Sequence, residues 1–294
     1  MASSWPGTTI LVCAYNQAGV LGKALDAMLL LDYPNFEIVV VNDGSTDSTK
    51  ELLDHKYKGK KWFNIIHLGK NSGLAAARNV GIEAAKKEFV VMMDQDCIPE
   101  RRWLKDLMKG FDSEKVGMVS SFSDQGGTST VFPKKVLEEI GGFDTKFFFF
   151  RDDSDTVFRV LDAGYGRKFV DAKFQHLHHH TKPKGLLGFV RYGIKRVKYH
   201  FNDVLLFKKH PKRTAELLDV KFGFLVNPFK DFGVATNLWH PKGTLKLRSP
   251  QGLVFIEPKT PLHIAAIILA GVTYVIAVKS ARLYASIKYR KLLI

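Results

Sequence analysis

Phe89-Val90-Val91-Met92-Met93-Asp94-Gln95-Asp96-Cys97-Ile98-Pro99 is an apolar run that stops at two carboxylates. Its β-favouring and flexible apolar residues predict a buried strand, and Pro99, with no N–H to give to a ladder, closes it. Asp94 and Asp96 then stand at the C-terminal edge of that strand. With one residue between them, they face a common ligand only where the strand breaks into a turn, and their hard oxygens suit Mg²⁺ or Mn²⁺ rather than zinc. Solvated loop acids after a buried strand are the alternative at this point.

Upstream, residues 8–14 form a continuous apolar run of the kind buried on both faces of a parallel sheet, followed by a turn over 15–19. Apolar spacing predicts a helix over 20–31. A second strand over 36–41 runs into Asn42-Asp43-Gly44-Ser45-Thr46-Asp47, and a helix follows from Thr49 to about residue 55. Strand, polar turn and helix, twice over, predict a doubly wound α/β sheet whose ligand crevice lies at the strand C-termini. No Gly-x-Gly-x-x-Gly follows the first strand and there is no Gly-Lys-Ser/Thr loop, so dinucleotide and P-loop readings lack their phosphate cradle. A phosphate here needs another partner, which a metal on Asp96 supplies. Further on, the pattern predicts a short strand over 64–68, helices over 74–86 and 99–111, and a strand over 116–122. Trp103, Leu104 and Leu107 are the expected buried stripe of the helix over 99–111. The glycine-rich 124–130 is a loop.

These residues resemble the inverting glycosyltransferases of family 2, which have the GT-A fold. The resemblance rests on Ala14-Tyr15-Asn16, Val39 to Asp47, Asn71-Ser72-Gly73 with Ala77-Arg78-Asn79, and Asp94-Gln95-Asp96. It continues through Gly141-Gly142-Phe143-Asp144 and Asp152-Asp153-Ser154-Asp155, with Arg159 and Gly164-Tyr165. It implies a GT-A catalytic domain over 1–182, a Rossmann-like, doubly wound mixed sheet that handles a nucleoside-diphosphate sugar. It also implies that Ala14, Tyr15, Asn16, Asn42, Asp43, Asn71, Gly73, Arg78, Asp94 and Gln95 bind that donor. Asp96 and Asp94 would hold a divalent metal, Mn²⁺ or Mg²⁺, on the diphosphate. Cys13 stands where a proline is common, and Asn42 where the first of two aspartates is common.

Residues 152–155 open a helix over 156–163. Acids at a helix N-terminus complement the macrodipole, which accounts for Asp152 and Asp155 without chemistry and for Asp153 less well. The resemblance implies that Asp153 is the general base, with Asp152, where a glutamate is more common, beside it on the acceptor side. Phe147 to Phe150 are expected to be mostly core, with Phe150 as an acceptor-side candidate. In the run 174–180, His176, His178 and His180 share a strand face, but spaced partners for a zinc site are lacking. The resemblance implies one histidine as a further metal or diphosphate ligand, His176 first and His178 second.

Charge is unevenly spread: residues 1–150 hold 18 Lys and Arg against 19 Asp and Glu, and residues 151–294 hold 26 against 10. A basic half suits anionic lipid, a phosphorylated substrate or nucleic acid. Its apolar interleaving favours the anionic membrane, and no nucleic-acid recognition motif is present. Cys13 and Cys97 cannot build a disulfide framework, and no signal-peptide pattern opens the chain, so the catalytic part is expected in the cytoplasm. Residues 183–260 read as a basic amphipathic, interfacial region, with one such helix over 186–207. Residues 261–294 read as a transmembrane or re-entrant helix with a basic tail. The uncharged stretch 262–278 is about 26 Å long as a helix, and Lys279 is expected to snorkel to the interface.

The expected function is transfer of a sugar from a nucleoside-diphosphate sugar, UDP-linked before GDP-linked, to a hydroxyl of a lipid-linked saccharide or glycolipid. A polyprenyl phosphate is the alternative acceptor; it is already anionic and needs little base, whereas Asp153 suits a hydroxyl. A non-catalytic, membrane-bound nucleotide-sugar-binding scaffold is the alternative of another class. No Gln-x-x-Arg-Trp follows the histidines, which favours one sugar per encounter over processive synthesis.

Overall fold

The computed structural model describes residues 5–177, 185–236, 245–249, 252–256 and 260–294. The chain forms two compact units, Met1–Leu177 and His178–Ile294.

The first unit opens with Thr8–Ala14 (β1), Ala18–Met28 (α1), Phe36–Asn42 (β2), Thr49–Lys56 (α2), Phe63–His67 (β3), Leu74–Ala84 (α3) and Phe89–Asp94 (β4). It continues with Cys97–Pro99 (β5), Trp103–Met108 (α4), Val116–Ser120 (β6), Thr130–Pro133 (β7), Lys134–Glu139 (α5), Asp152–Asp162 (α6), Gly166–Phe169 (β8) and Phe174–His176 (β9). Seven strands make one mixed sheet in the order β3-β2-β1-β4-β7-β6-β8. β7 runs antiparallel to both β4 and β6, while β1, β2, β3 and β4 are parallel.

Successive residues of β1 point to opposite faces, and both faces are covered. Ile10, Val12 and Ala14 pack with Leu21, Leu25 and Met28 of α1 and Trp103 and Leu104 of α4. Leu11 packs on the other face with Ala75 and Ala77 of α3, Val136 of α5 and Val157 of α6. Helices on both sides explain why β1, β2 and β4 are apolar throughout rather than alternating. The register brings Cys13 opposite Asp94, Ala14 opposite Asn42 and Asn42 opposite His67. The ends of four parallel strands therefore form one polar edge.

In this unit the expectations for 99–111 and 147–150 change. The stretch 99–111 is not one helix: Cys97–Pro99 pairs antiparallel with Phe174–His176, and only Trp103–Met108 is helical, with Trp103, Leu104 and Leu107 buried as expected. Of the four phenylalanines, only Phe147 is fully buried, while Phe148 and Phe149 are exposed. Phe148 bends outward because its loop lies across the start of α3, its carbonyl accepting from the Leu74 N–H at 3.1 Å.

The second unit contains Gly185–Lys198 (α7), Phe201–Lys209 (α8), Pro211–Leu218 (α9), Val220–Lys221 (β10), Leu225–Val226 (β11) and Pro228–Thr236 (α10). It closes with Leu245–Ser249 (β12), Gly252–Ile256 (β13) and Pro261–Tyr289 (α11). The expected single helix over 186–207 is thus two, α7 and α8. The break falls at Tyr199 and His200, where the His200 ring contacts Asp203 and Tyr274. A small core of Val204, Phe207, Leu218, Val226, Ala285 and Leu293 holds α8, α9, β11 and α11 together. Lys279 does not snorkel. Its ammonium donates to the carbonyls of Val226 and Ile294 and lies 3.3 Å from Asp231, because the chain beyond α11 folds back beside β11.

Candidate functional site

The acidic turn is built where β4 ends and β5 begins. β5 pairs with β9 so that Cys97 lies opposite His176, and this small ladder carries His176 back to the turn. His176 Nε2 lies 3.2 Å from Asp96 Oδ1. One ligand atom from each of Asp94, Asp96, Cys97 and His176 falls within 4.8 Å of the others. Burial pushes the Asp94 carboxyl above the usual range, with Arg78 opposing the rise and Asp96 adding to it. Burial draws the His176 imidazole down, and its contact with Asp96 outweighs this, leaving it raised. Cys97 stays a thiol: burial pushes it far up, and Thr128 Oγ1 donates to its sulfur at 3.5 Å.

The ends of β1 and β2 are wired to this turn. Gln95 Oε1 accepts from the Tyr15 N–H at 2.8 Å. Asn16, at φ 52°, receives the Thr46 N–H on its side-chain oxygen at 2.7 Å, and its own N–H donates to Ser45 Oγ at 3.0 Å. Asn42 accepts from the Ser45 N–H at 3.1 Å and contacts His67 Nδ1 at 3.0 Å. Asp43 accepts the N–H groups of Ser72 and Gly73 at 2.7 and 3.0 Å, which fixes the loop carrying Asn71. That loop needs two glycines. A Cβ on Gly44 would lie 2.5 Å from the Asn71 nitrogen, and one on Gly73, at φ 91°, 2.6 Å from the Phe148 ring. Tyr15 is exposed at the rim, while Ala14 is buried and meets the network only through its carbonyl, which accepts from the Asp43 N–H at 2.9 Å.

On the other side stands the start of α6, entered through two consecutive left-handed residues, Phe150 and Arg151, at φ 74° and 72°. Such backbone is strained for side chains of this size. The Arg151 guanidinium lies over the Phe150 ring, 4.5 Å from its centroid. Each acid at this helix end has its own partner. Asp152 takes Arg78 Nη1 at 2.5 Å, Asp155 takes Arg159 Nε at 2.9 Å, and Asp153 Oδ1 accepts from the Ser154 N–H at 2.7 Å. Burial pushes Asp152 up to about 6, against the pull of Arg78 and with Asp153 adding to the rise. Asp153 faces the loop over 124–130: a Cβ on Gly127 would lie 3.6 Å from its Oδ2.

A family model described as Glycosyl transferase family 2 matches residues 9–174. The chain belongs to this family. Among curated family relatives it is 32% identical over 127 residues to the putative glycosyltransferase EpsH of Bacillus subtilis (strain 168), covering 42% of this chain and 37% of that one. It is 36% identical over 92 residues to the poly-beta-1,6-N-acetyl-D-glucosamine synthase of Staphylococcus epidermidis, covering 31% and 22%. With the glycosyltransferase AglE of Haloferax volcanii it shares 31% over 202 residues, covering 58% and 66%. The chain thus spans less than two thirds of each of these relatives. Among solved structures, the mannosyltransferase PcManGT from Pyrobaculum calidifontis, in complex with GDP-Man and Mn²⁺, aligns over 97% of this chain and 76% of its own at TM-score 0.60 and 20% identity. Residues 1–349 of S. aureus TarS in complex with UDP align over 97% and 92% at TM-score 0.52 and 16% identity. The shared architecture is the GT-A fold.

The family 2 match covers every candidate site residue except His176, which lies two positions beyond it, and the second-choice His178, which lies outside the described residues. The β5–β9 ladder, with the Leu177 N–H donating to the Asp96 carbonyl at 2.9 Å, carries His176 to the acidic turn. Two carboxylates and an imidazole, with the neighbouring sulfur held as a thiol, form an oxygen-rich donor set that fits Mn²⁺ or Mg²⁺. Two carboxylates this close, Asp96 buried and Asp94 half-buried, are also unfavourable without a cation beside them. Several residues around this candidate site were not singled out for it from sequence. Thr128 Oγ1 accepts from the Asp94 N–H at 3.0 Å, and Trp103 Nε1 donates to Ser129 Oγ at 2.7 Å, bracing the loop that faces Asp153. His67 ends β3 level with Asn42, and Phe143 lies under the Arg78 guanidinium, 4.9 Å away.

Proposed function

We propose that this family 2 member transfers a sugar, with inversion, from a nucleoside-diphosphate sugar to a hydroxyl of a lipid-linked saccharide or glycolipid. The observation that carries the reading is the convergence of Asp94, Asp96 and His176 at the strand edge, opposite Asp153 at the start of α6. Tyr15 at the rim would wall the base, UDP before GDP, with the turn held by Asn16, Asn42, Asp43 and Gln95 and the loop of Asn71 and Gly73 around the ribose and diphosphate. Ala14 contributes its backbone. Asp94, Asp96 and His176 would hold Mn²⁺ or Mg²⁺; when bound, the ion supplies neutralising charge to the departing nucleoside diphosphate.

Asp153 takes the proton from the acceptor hydroxyl as its oxygen attacks the anomeric carbon from the face opposite the leaving group. The attacking oxygen forms the new glycosidic bond, the bond to the diphosphate breaks, and the configuration inverts. Asp152, held by Arg78, keeps the start of α6 in place, and Phe150 is on the acceptor side. The basic second unit and the apolar α11 support attachment to an anionic membrane, with the catalytic unit in the cytoplasm.

The test is transfer of radiolabelled sugar from a panel of UDP- and GDP-sugars to membrane lipid extracts. Asp153→Asn is expected to lower the rate about 10²–10⁴-fold while donor binding is retained. Unchanged transfer by that variant would remove Asp153 from the chemistry, and binding without transfer by the native chain would favour the scaffold reading.

A further inference from the structure

α11 has two halves of different chemistry. Residues 261–266 are all exposed, so the helix starts with more than a full turn uncovered on every side. Leu262, Ile264, Ile268, Leu269, Val272 and Ile276 are all exposed, and no formal charge occurs between Leu262 and Val278. An apolar surface around the whole circumference fits lipid, and the cations of the second unit complement an anionic headgroup layer.

The other half is polar inside. Arg282, buried, donates to Asp231 at 2.6 and 3.0 Å and to Asp203 at 3.0 Å, and Lys279 lies 3.3 Å from Asp231. His200 joins Asp203 to the Tyr274 hydroxyl, at 2.8 Å to each. This cluster fastens α11 to α8 and α10. Charges of this density are expensive in hydrocarbon, so α8 and α10 belong on the water side.

The path from α10 to the start of α11 then decides the topology. β12 packs against α10, and Leu245 of β12 pairs with Ile256 of β13, which ends five residues before Pro261. Were α11 to cross a bilayer, Pro261 would lie on the far face, about 31 Å along the helix axis from Arg282. The chain between α10 and α11 would have to cross as well. Its described part is a two-stranded sheet, and it carries Lys242, Lys246, Arg248 and Lys259. A hydrocarbon core accepts helices and closed barrels, because an open sheet edge leaves backbone N–H and C=O groups without partners.

We propose that α11 does not cross the membrane: its first half is embedded in the lipid of one leaflet and both its ends stay on the same face. The inference rests on the membrane attachment read above and deepens it. Tyr274, at the join of the two halves, sits where an aromatic side chain with a polar tip suits the headgroup level.

The test uses the full chain in sealed inside-out vesicles and in spheroplasts of expressing cells, with a membrane-impermeant maleimide, and the native protein, with Cys13 half-buried and Cys97 buried, as the blank whose labelling is subtracted. Lys259→Cys and Lys288→Cys, one at each flank of α11, are expected to react from the same face, and Ile268→Cys only after detergent. Flanks that react from opposite faces would overturn the proposal, as would Ile268→Cys reacting as fast as the flanks in intact vesicles. A native chain that does not pellet with membranes would overturn the membrane reading itself, a result distinct from either labelling pattern.

Discussion

Each unit buries an arginine, and the two are neutralised differently. Arg282 makes four contacts of 2.6–3.0 Å with two aspartates, and Lys279 brings a second cation, so carboxylates and cations match. Arg78 makes one contact with Asp152, while Asp94, Asp96 and Asp153 put further negative charge on the same region, where among the described residues Arg78 and His176 pull the Asp94 carboxyl down. A balanced cluster closes a core. An unbalanced one keeps an anionic excess, which costs stability unless a cation enters. The imbalance falls at the proposed site, and the balance at a cluster that joins helices.

This contrast breaks most easily at Arg282. Arg282→Leu would strand two buried aspartates and is expected to remove about 3–5 kcal/mol from urea unfolding of the full chain. A loss indistinguishable from that of an exposed substitution would mean that the cluster is not structural. Arg78→Met should remove less, about 2–3 kcal/mol near neutral pH, because Asp152 can neutralise itself by taking a proton. For the same reason its loss should shrink toward pH 5, and a pH-independent loss would contradict the account.

Asp152 itself gives a weaker effect whose sign is set. Its folded pKa of about 6 lies above the ordinary 3.8, so between these values the native state holds more protons than the unfolded one. Its contribution is favourable below about pH 4 and is lost as pH rises to about 6, on the order of 3 kcal/mol. Measured as the difference between the native chain and Asp152→Asn across that window, the native chain should lose ground as pH rises. The smallest effect is at the cysteines. Burial pushes Cys13 up to about 12 and Cys97 higher, so a soluble disulfide reagent should reach neither at neutral pH until urea unfolds the chain, and rapid modification of the folded protein would show the site to be more open than described.

The same contrast explains what could be read from sequence. β1, β2 and β4 were legible because strands covered on both faces are continuously apolar, and their polar turns announced the ligand edge. The β5–β9 ladder was not, because three-residue strands carry no usable period and their pairing joins positions 75–79 residues apart. His176 was therefore placed by family resemblance alone. Arg78 and Asp152 meet across 74 residues, and nothing local in either helix signals it. The four phenylalanines misled because an apolar run does not say which side faces inward, and a strained backbone at Phe150 and Arg151 turns the chain there. Arg282 and Lys279 looked like the basic flank of an apolar helix, since their partners lie on α8 and α10.

The most direct measurement is thermal unfolding of the detergent-solubilised protein with UDP and with GDP, each with and without Mn²⁺, for the native chain and Asp96→Ala. Linkage gives about 2.7 kcal/mol of stabilisation at a hundred times the dissociation constant. The account predicts stabilisation by a nucleotide that requires Mn²⁺ in the native chain and disappears in Asp96→Ala. Stabilisation that is the same without metal, or the same in Asp96→Ala, would contradict it.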